Sequence, residues 1–264
     1  MGLVFDRATA RKYAEWRSGP KGQAAEAWVR ACLPALLHPR PGERALEIGC
    51  GDGIHLVFLK ELGLKVDGLD ASPVMVDLAR DRLGQRCAVR KGAAEDLPFE
   101  DNSFDLALLI HTLEFVDNPY QALREAARVA RRAVFVAVMN SLSWQGLTRR
   151  VPSPAPDPIF GRGRFFSLWE LKALIRQAMG DVPLCWRSSL EGGPILGKIQ
   201  GVFPGKTDEC TLPFGSYLGL AATILYRFRT DNLGVKLPVR GAGKSVPSGA
   251  IMKGTASSRR AIGQ

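Results

Sequence analysis

The sequence lacks the cysteine pattern of a disulfide-stabilised or zinc-binding protein. Its 264 residues include five cysteines, which is an odd number, and contain no Cys-x-x-Cys pair. Disulfide frameworks use cysteines in even numbers, and structural zinc sites use closely spaced pairs. We therefore expect reduced thiols, without a disulfide framework and without a metal site.

Long apolar runs are also missing. The longest nearly uncharged run, residues 217–226, falls far short of the roughly 20 residues that a membrane-spanning helix needs. Residues 1–6 already include the charged Asp6 and contain no apolar core of signal-peptide length. From these two observations we expect a soluble, cytoplasmic protein without a membrane span.

Acidic residues are absent from residues 232–264, which contain six lysines and arginines. These six account for more than half of the formal net charge of +10. Because the segment is rich in Gly, Ser and Ala and has no apolar periodicity, we predict a basic disordered tail over residues 231–264. Two interpretations stay open: a solvated tail without a binding role, or non-specific attraction to an anionic surface.

An alternation of short apolar runs with helical patterns predicts an α/β fold. Strands are expected at residues 44–48, 65–69, 87–90, 104–110 and 133–139, with helices at about 54–63, 73–83 and 119–131. This alternation is typical of a doubly wound, Rossmann-like sheet with helices on both faces. A late apolar run at residues 216–227 predicts a last strand, so we expect a mostly parallel sheet that ends with an antiparallel strand.

The chain divides into three predicted segments. Residues 1–40 are expected to form an N-terminal helical cap, in which Pro34 should kink or shorten the second helix. Residues 41–230 are expected to form the main domain, with a lid loop at about 141–166 because the connection is long, proline-rich and without periodicity. The predicted basic tail, residues 231–264, is the third segment.

The most informative stretch, residues 45–54, has the sequence A-L-E-I-G-C-G-D-G-I. A predicted strand carries the acid Glu47 and then turns through three glycines into a helix. Glycine allows positive φ angles and a close approach of a ligand, and the N–H groups at the start of the helix point toward that ligand. The G-x-G-x-G spacing lacks the last glycine of the dinucleotide-binding pattern. Glu47 also suits a cationic amino group better than a pyrophosphate.

Acidic residues follow at two further points of the predicted sheet. Asp70 comes directly after the second strand, 21 residues beyond Gly49, where an acid can accept hydrogen bonds from ribose hydroxyls. The third strand is followed by G-A-A-E-D-L-P-F at residues 92–99, and the turn N-S-F-D at residues 102–105 leads into the fourth strand.

In combination, these motifs resemble the class I S-adenosylmethionine-dependent methyltransferases. They are most similar to the methyltransferase type 11 branch, which includes quinone-biosynthesis enzymes and many small-molecule methyltransferases. The segments Phe5-Asp6-Arg7 and Tyr13-Ala14-Glu15-Trp16 are similar to the entry helix of that branch. The resemblance covers residues 5–140, and more loosely residues up to 227. It implies S-adenosylmethionine as the cofactor.

The resemblance also implies which residues bind the cofactor. The glycine loop would surround the methionyl part, Glu47 would face its amino group, and Asp70 would bind the ribose. Ala93 stands where the family often has an aspartate at the adenine site, so that contact is either missing or made by Glu95 or Asp96. The expected cofactor-binding residues are Tyr13, Glu47, Gly49, Cys50, Gly51, Gly53, Asp70, Ala71, Ala94, Glu95 and His111.

His111 is the candidate catalytic residue because it follows the fourth strand, at the sheet edge where ligands bind. It could act as a general base, which is needed only if the acceptor must lose a proton. It could instead form a wall of the methionyl pocket or be a structural histidine. Four arginines of the predicted lid region hint at an anionic acceptor, although solvated loop arginines are the commoner case: Arg149, Arg150, Arg162 and Arg164.

The leading functional hypothesis is methyl transfer to a small-molecule acceptor that the sequence does not identify. An RNA methyltransferase is the first alternative, since the tail is basic, although no added RNA-binding module is visible and we expect no nucleic-acid partner. A protein that binds S-adenosylmethionine without catalysis is the second alternative.

Overall fold

Residues 2–148, 161, 163–189, 209–210 and 212–225 are described by the computed structural model. The predicted tail at 231–264 and half of the predicted lid loop, including Arg149, Arg150 and Arg162, lie outside the described residues. Everything below refers to the described part, all of which falls within one compact unit, Met1–Tyr226.

Eight strands form a single sheet. In chain order they are β1 Arg44–Ile48, β2 Lys65–Asp70, β3 Ala88–Lys91, β4 Phe104–Ile110, β5 Ala130–Met139, β6 Leu184–Ser189, β7 Glu209–Cys210 and β8 Tyr217–Thr223. Their spatial order is β3-β2-β1-β4-β5-β8-β6-β7. The first five strands are parallel, and β8, β6 and β7 add antiparallel pairs. The predicted mostly parallel sheet with an antiparallel C-terminal part is confirmed.

Seven α-helices accompany the sheet within the described ranges: α1 Arg7–Ser18, α2 Pro20–Leu37, α3 Ile54–Glu61, α4 Pro73–Leu83, α5 Pro119–Val129, α6 Trp144–Thr148 and α7 Leu168–Met179. None of these helices combines the length and the apolar character that crossing a bilayer would need. The side chains of Ser72, Asn118 and Ser167 accept backbone N–H groups at the starts of α4, α5 and α7, at 3.1–3.2 Å. Such caps satisfy donors that have no partner within the helix.

Two hydrophobic clusters cover opposite faces of the sheet. Leu106, Leu108 and Ile110 of β4 pack with α2, α3 and α4, whereas the intervening Ala107 and Leu109 pack with α5 and α7. Successive residues of a strand point to opposite faces, so a strand buried on both sides has an unbroken apolar sequence. The doubly wound arrangement is confirmed.

Several element boundaries differ from those predicted. The helix α2 continues through Pro34 to Leu37, so this proline does not shorten the helix, and the alternative of a kink stays a prediction. Pro34 lies in the last turn, where its carbonyl accepts the N–H of His38 at 2.9 Å and its neighbours Leu33 and Leu37 are buried in the core. The strand β6 was not predicted, because its sequence L-C-W-R-S-S is only partly buried; pairing with β8 stabilises it.

Candidate functional site

A cavity of about 410 Å³ lies at the carboxyl edge of the parallel strands. The strands β2, β1 and β4 are neighbours in the sheet, so the segments that follow them converge at this edge. Nine of the predicted site residues line the cavity: Tyr13, Gly49, Cys50, Gly51, Asp70, Ala71, Ala94, Glu95 and His111. Glu47 and Gly53 do not line it.

The three glycines of the loop have positive φ angles of 75°, 53° and 78° at Gly49, Gly51 and Gly53. A Cβ atom on Gly51 would meet no atom within 4 Å, so this position opens onto free space at the cavity. A Cβ atom on Gly49 would lie 2.4 Å from Cγ2 of Thr112, and one on Gly53 would lie 3.1 Å from Cβ of Ala79. The first and third glycines therefore also permit close packing of the loop on its neighbours.

Asp70 lies at the end of β2 and fixes the glycine loop. Its Oδ2 accepts the backbone N–H of Gly51 at 2.8 Å, and its Oδ1 accepts that of Ser72 at 2.8 Å. Burial raises the pKa of Asp70, and the two backbone donors oppose that shift. A carboxylate oxygen has more than one lone pair, so Asp70 retains capacity to accept hydrogen bonds from a ligand in the cavity.

The segment after β3 forms another wall, with Gly92, Ala93, Ala94 and Glu95 facing the cavity. Oε1 of Glu95 accepts the N–H groups of Asp117 and Asn118 at 3.1 and 3.3 Å, which holds this wall against the start of α5. Asp96, the other acid considered for the adenine contact, is not among the lining residues.

Glu47 is not among the residues that line the cavity, and its expected role as the acid that faces an amino group stays a prediction. Its side chain is fully buried, and Oε1 contacts Nδ1 of His55 at 3.0 Å. Nε2 of His55 in turn lies 2.9 Å from Oε2 of Glu26 on α2. His55 lines the cavity and was missed by the sequence reasoning, although its position in the first turn after the glycine loop was an available signal.

The buried charges of Glu26, His55 and Glu47 shift one another's pKa values. Burial alone lowers the pKa of His55, but the carboxylates of Glu47 and Glu26 outweigh it and raise that pKa to about 10. Burial acts to raise the pKa of Glu26, yet hydrogen bonds from His55 and Arg30 lower it to about 2. Burial raises the pKa of Glu47 despite the neighbouring His55.

His111 has a left-handed backbone conformation, with φ 52°, which is uncommon for a residue other than glycine. Its Nδ1 lies 3.2 Å from Oε1 of Glu114, and the same oxygen accepts the N–H of Met139 at 2.8 Å. Nε2 of His111 has no hydrogen-bond partner among the described residues. Because the carboxylate of Glu114 is an acceptor, Nδ1 is best assigned as the protonated nitrogen and Nε2 as the free acceptor.

Residues 2–5, termed the N-terminal strap, line the cavity and connect the segments that follow β4 and β2. The N–H of Leu3 donates to the carbonyl of Phe115 at 2.9 Å, and Oγ of Ser72 donates to the carbonyl of Phe5 at 2.5 Å. Phe115 follows β4 and Ser72 follows β2, so the strap passes over the end of β1, which lies between those strands. All four strap residues line the cavity.

The helix α1 continues the strap and is tied to the glycine loop. Arg17 forms an ion pair with Asp52, which also binds Arg82 of α4 at 2.6 Å. The ring of Tyr13 stacks on Trp16 with the centroids 5.9 Å apart. Burial and the nearby Asp52 raise the pKa of the Tyr13 hydroxyl.

The described lining of the cavity contains one protonated histidine, His55, neither lysine nor arginine, and four acids, which are Asp52, Asp70, Glu95 and Asp117. Such a lining favours a cationic ligand. Arg164, the one described member of the four predicted lid arginines, pairs with Glu170 and is not a lining residue. The expectation of an anionic acceptor therefore gains no support from the described residues.

The described ends of the predicted lid contribute to the core. Phe166 is fully buried, and its N–H donates to the carbonyl of Met139 at 3.1 Å. Phe165 is partly buried and packs against the hydrophobic cluster that includes α2, α3 and α4, whereas Phe166 belongs to the cluster on the opposite face of the sheet. These side chains pin the connection to the sheet, whereas Ile159 and Phe160 lie outside the described residues.

A glycine loop after β1, an acid at the end of β2 and a cavity at the carboxyl edge of a sheet with an antiparallel C-terminal part define the class I methyltransferase fold. Residues 46–138 match the family described as "Methyltransferase domain". Residues 46–138 thus carry the sequence pattern of the type 11 methyltransferase family, and a solved S-adenosylmethionine-dependent methyltransferase shares the fold.

Solved and curated proteins are similar to parts of this chain. A solved S-adenosylmethionine-dependent methyltransferase from Thermotoga maritima, described as a possible histamine N-methyltransferase, is 27% identical with a TM-score of 0.59, covering 81% of this chain and 97% of that one. An uncharacterized 37.1 kDa protein of a Streptomyces fradiae transposon is 36% identical over 57% of this chain and 45% of its own length. Demethylmenaquinone methyltransferase of Tropheryma whipplei is 35% identical over 39% of this chain and 44% of its own length. The matched region spans about half the length of these curated relatives.

Proposed function

We propose that the cavity binds S-adenosylmethionine and that the protein transfers its methyl group to a small-molecule acceptor. The observation that carries this proposal is the hydrogen bond from Gly51 to Asp70 within a cavity whose described lining contains acids but no lysine or arginine. A ligand with a sulfonium and an ammonium group is cationic at both centres, and it fits such a lining.

The residues present suit each part of that cofactor. Asp70 would accept hydrogen bonds from the ribose hydroxyls, and Gly51 leaves room for the ligand where any side chain would intrude. Ala93 and Ala94 would lie along the adenine, and Glu95 is the one nearby acid that lines the cavity. When bound, the cofactor supplies an activated methyl group.

The protein itself has to align the acceptor, exclude water and manage a proton. Alignment alone can lower the barrier by several kcal/mol. The N-terminal strap and Tyr13 line the cavity and would limit the access of water to the bound cofactor. His111 would take the proton of the acceptor at Nε2, because Glu114 holds Nδ1 in its protonated form.

A small molecule is favoured as the acceptor over RNA. The cavity lining contains no described lysine or arginine, and these are the residues that neutralise phosphates. Demethylmenaquinone methyltransferase and the possible histamine N-methyltransferase are, by their names, small-molecule enzymes. The oriented His111 and Glu114 pair favours catalysis over cofactor binding alone. The cytoplasmic location stays a prediction.

A methyl-transfer screen tests the proposal. The protein is incubated with S-adenosylmethionine labelled in the methyl group, together with either a metabolite extract or an RNA fraction, and the His111→Asn variant is run in parallel. We expect label in the small-molecule fraction that depends on His111. Label in RNA alone would overturn the small-molecule assignment, and cofactor binding without label in either fraction would favour the non-catalytic alternative.

A further inference from the structure

A second cavity, of about 300 Å³ and termed the basic cleft, lies at the amino edge of the sheet. Arg44 begins β1, Lys65 begins β2 and Ala88 begins β3, and all three residues line the cleft. The cavity at the glycine loop lies at the opposite ends of β1 and β2, and the two cavities have no described lining residue in common. The basic cleft is therefore separate from the proposed cofactor site.

Positive charge dominates the lining of the basic cleft. Four cationic side chains line it, and they come from four parts of the chain: Arg44 of β1, Lys60 of α3, Lys65 of β2, and Arg86 of the short turn Gly84–Arg86 after α4. Asp67 is the one acid among the described lining residues, so four positive charges and one negative charge leave a net charge of +3. A concave site lined mainly by one sign of charge attracts ligands of the opposite sign.

The protein compensates these charges only in part. The guanidinium of Arg44 lies 3.6 Å from the carboxylate of Asp67, which is beyond hydrogen-bond distance. The ammonium of Lys60 donates to the carbonyl of Arg86 at 2.9 Å, and the guanidinium of Arg86 donates to two backbone carbonyls of α4. These carbonyls satisfy donors without adding negative charge. The side chain of Lys65 makes no hydrogen bond or ion pair with the residues that the structure describes.

The start of β5, at the same edge of the sheet, shows a different arrangement. Arg131 pairs with Asp105 at 2.5 Å, and Arg132 pairs with Glu43 at 2.8 Å. Each of these arginines thus has a carboxylate of its own, whereas the four cations of the basic cleft have Asp67 alone among the described lining residues. The basic cleft therefore retains positive charge that an external anion can neutralise.

The thiol in the basic cleft is held in its neutral form. Sγ of Cys87 donates to the carbonyl of Val66 at 3.0 Å, and burial together with the nearby Asp67 raises the pKa of the thiol to about 11. The thiolate is the nucleophilic form of cysteine, so Cys87 is unreactive at neutral pH. The lining thus indicates that a ligand is bound in the cleft without covalent chemistry.

We propose that the basic cleft binds a small molecule through a phosphate or diphosphate group. Phosphate oxygens match both the point charge of a lysine ammonium and the planar fork of an arginine guanidinium. A cavity of about 300 Å³ is at the lower end of the range for small-molecule sites. The cations converge on this cleft and do not follow a stripe across the surface, which favours a small anion over RNA. This inference does not rest on the proposed function.

Calorimetric titration of inorganic pyrophosphate into the full chain, in a phosphate-free buffer, tests the proposal. We expect saturable binding by the wild type at one site per chain. Lys65→Gln and Lys60→Gln each remove one cation of the cleft and should each weaken binding by about 3- to 10-fold; with two such variants the test does not depend on the folding of either one. Lys12→Gln removes the same charge from an exposed position of α1, so it is the matched control and should bind as the wild type does.

Titrations into Gly51→Val separate the basic cleft from the cavity at the glycine loop. This variant should bind pyrophosphate as the wild type does, whether or not the wild type binds S-adenosylmethionine. Titration of ADP into the same variant distinguishes two sources of the diphosphate group. Tighter binding of ADP than of pyrophosphate would support the proposal with a nucleotide as the ligand, and equal or weaker binding of ADP would support it with an unsubstituted diphosphate.

Three results would overturn the proposal. The first is a wild-type protein without saturable pyrophosphate binding, including one that binds a single-stranded RNA oligonucleotide instead. The second is an equal affinity of Lys65→Gln, Lys60→Gln and Lys12→Gln, because the formal net charge of +10 would then attract the anion without a specific site. The third is a loss of pyrophosphate binding in folded Gly51→Val, which would place the anion in the other cavity.

Discussion

The carboxylate of Asp70 accepts the backbone N–H of Gly51 at 2.8 Å. The end of β2 thereby fixes the glycine turn at the end of β1, across 19 residues of chain. The same carboxylate also accepts the N–H of Ser72 at the start of α4. One side chain thus holds two of the segments that line the cavity.

Replacing Asp70 by alanine should loosen the glycine loop and weaken the binding of S-adenosylmethionine. Two partly buried N–H groups would lose their acceptor, which costs about 1–3 kcal/mol of stability for each group that stays unsatisfied. Calorimetry and thermal unfolding measure the two effects. Asp67→Ala on the same strand is the control, because among the described residues the side chain of Asp67 makes a single long ion pair, with Arg44 at 3.6 Å. Equal effects of the two variants would contradict this role of Asp70.

Removing the Arg17 side chain should detach α1 from the glycine loop. The pair between Arg17 and Asp52 is a principal tie, since Ala10 is the one buried residue of α1. In Arg17→Ala we expect faster amide hydrogen exchange over residues 2–18 and weaker cofactor binding. Arg11→Ala changes an exposed arginine of the same helix and serves as the control. Unchanged exchange in Arg17→Ala would show that other contacts hold the helix.

The buried group of Glu26, His55 and Glu47 should make stability depend on pH. Folding raises the pKa of His55 from 6.5 to about 10, so its stabilising effect is complete below about pH 6.5 and is lost as the pH rises toward 10. The difference in unfolding free energy between the wild type and His55→Gln should therefore shrink over this range. Chemical denaturation at several pH values measures it, with His38→Asn as the control. A difference that does not change with pH would contradict a protonated His55.

His111→Asn should lower methyl transfer far more than it lowers cofactor affinity. Asparagine tolerates the left-handed backbone of this position, so the variant removes the imidazole with little change to the fold. Loss of a general base typically costs about 10²- to 10⁴-fold in rate. Glu114→Gln retains an oxygen that can accept the N–H of Met139 and should cause a smaller loss. Undiminished turnover in His111→Asn would exclude a catalytic role.

The sequence predicted the central strands because each is buried on both faces and has an unbroken apolar sequence. It also predicted the places of Gly51 and Asp70. The glycine turn and its spacing from the acid are both visible in a short stretch of the sequence. The strand β6 escaped prediction because its partly polar sequence depends on pairing with β8. The first residues of β5 also escaped, as Arg131 and Arg132 conceal the strand pattern; Arg131 pairs with Asp105 and Arg132 with Glu43.

The contacts of Glu47 could not be predicted from the sequence. Its partner His55 is eight residues away in the chain, and Glu26 lies on a helix that precedes the sheet. Only the packing of α2 and α3 on the same face of the sheet brings the three side chains together. The strap contacts of Leu3 and Phe5 depend likewise on the convergence of β2 and β4.

Calorimetric titration of S-adenosylmethionine into the wild type, Gly51→Val and Gly42→Val tests the central claim most directly. Gly42 also has a positive φ, of 88°, and a Cβ atom there would meet no atom within 4 Å. It lies before the start of β1, at the opposite end of the strand from the cavity, so Gly42→Val introduces a comparable backbone strain away from the site. We expect saturable binding by the wild type and by Gly42→Val, and none by folded Gly51→Val, because its side chain would occupy the space of the ligand. Undiminished affinity in Gly51→Val would contradict cofactor binding at the glycine loop.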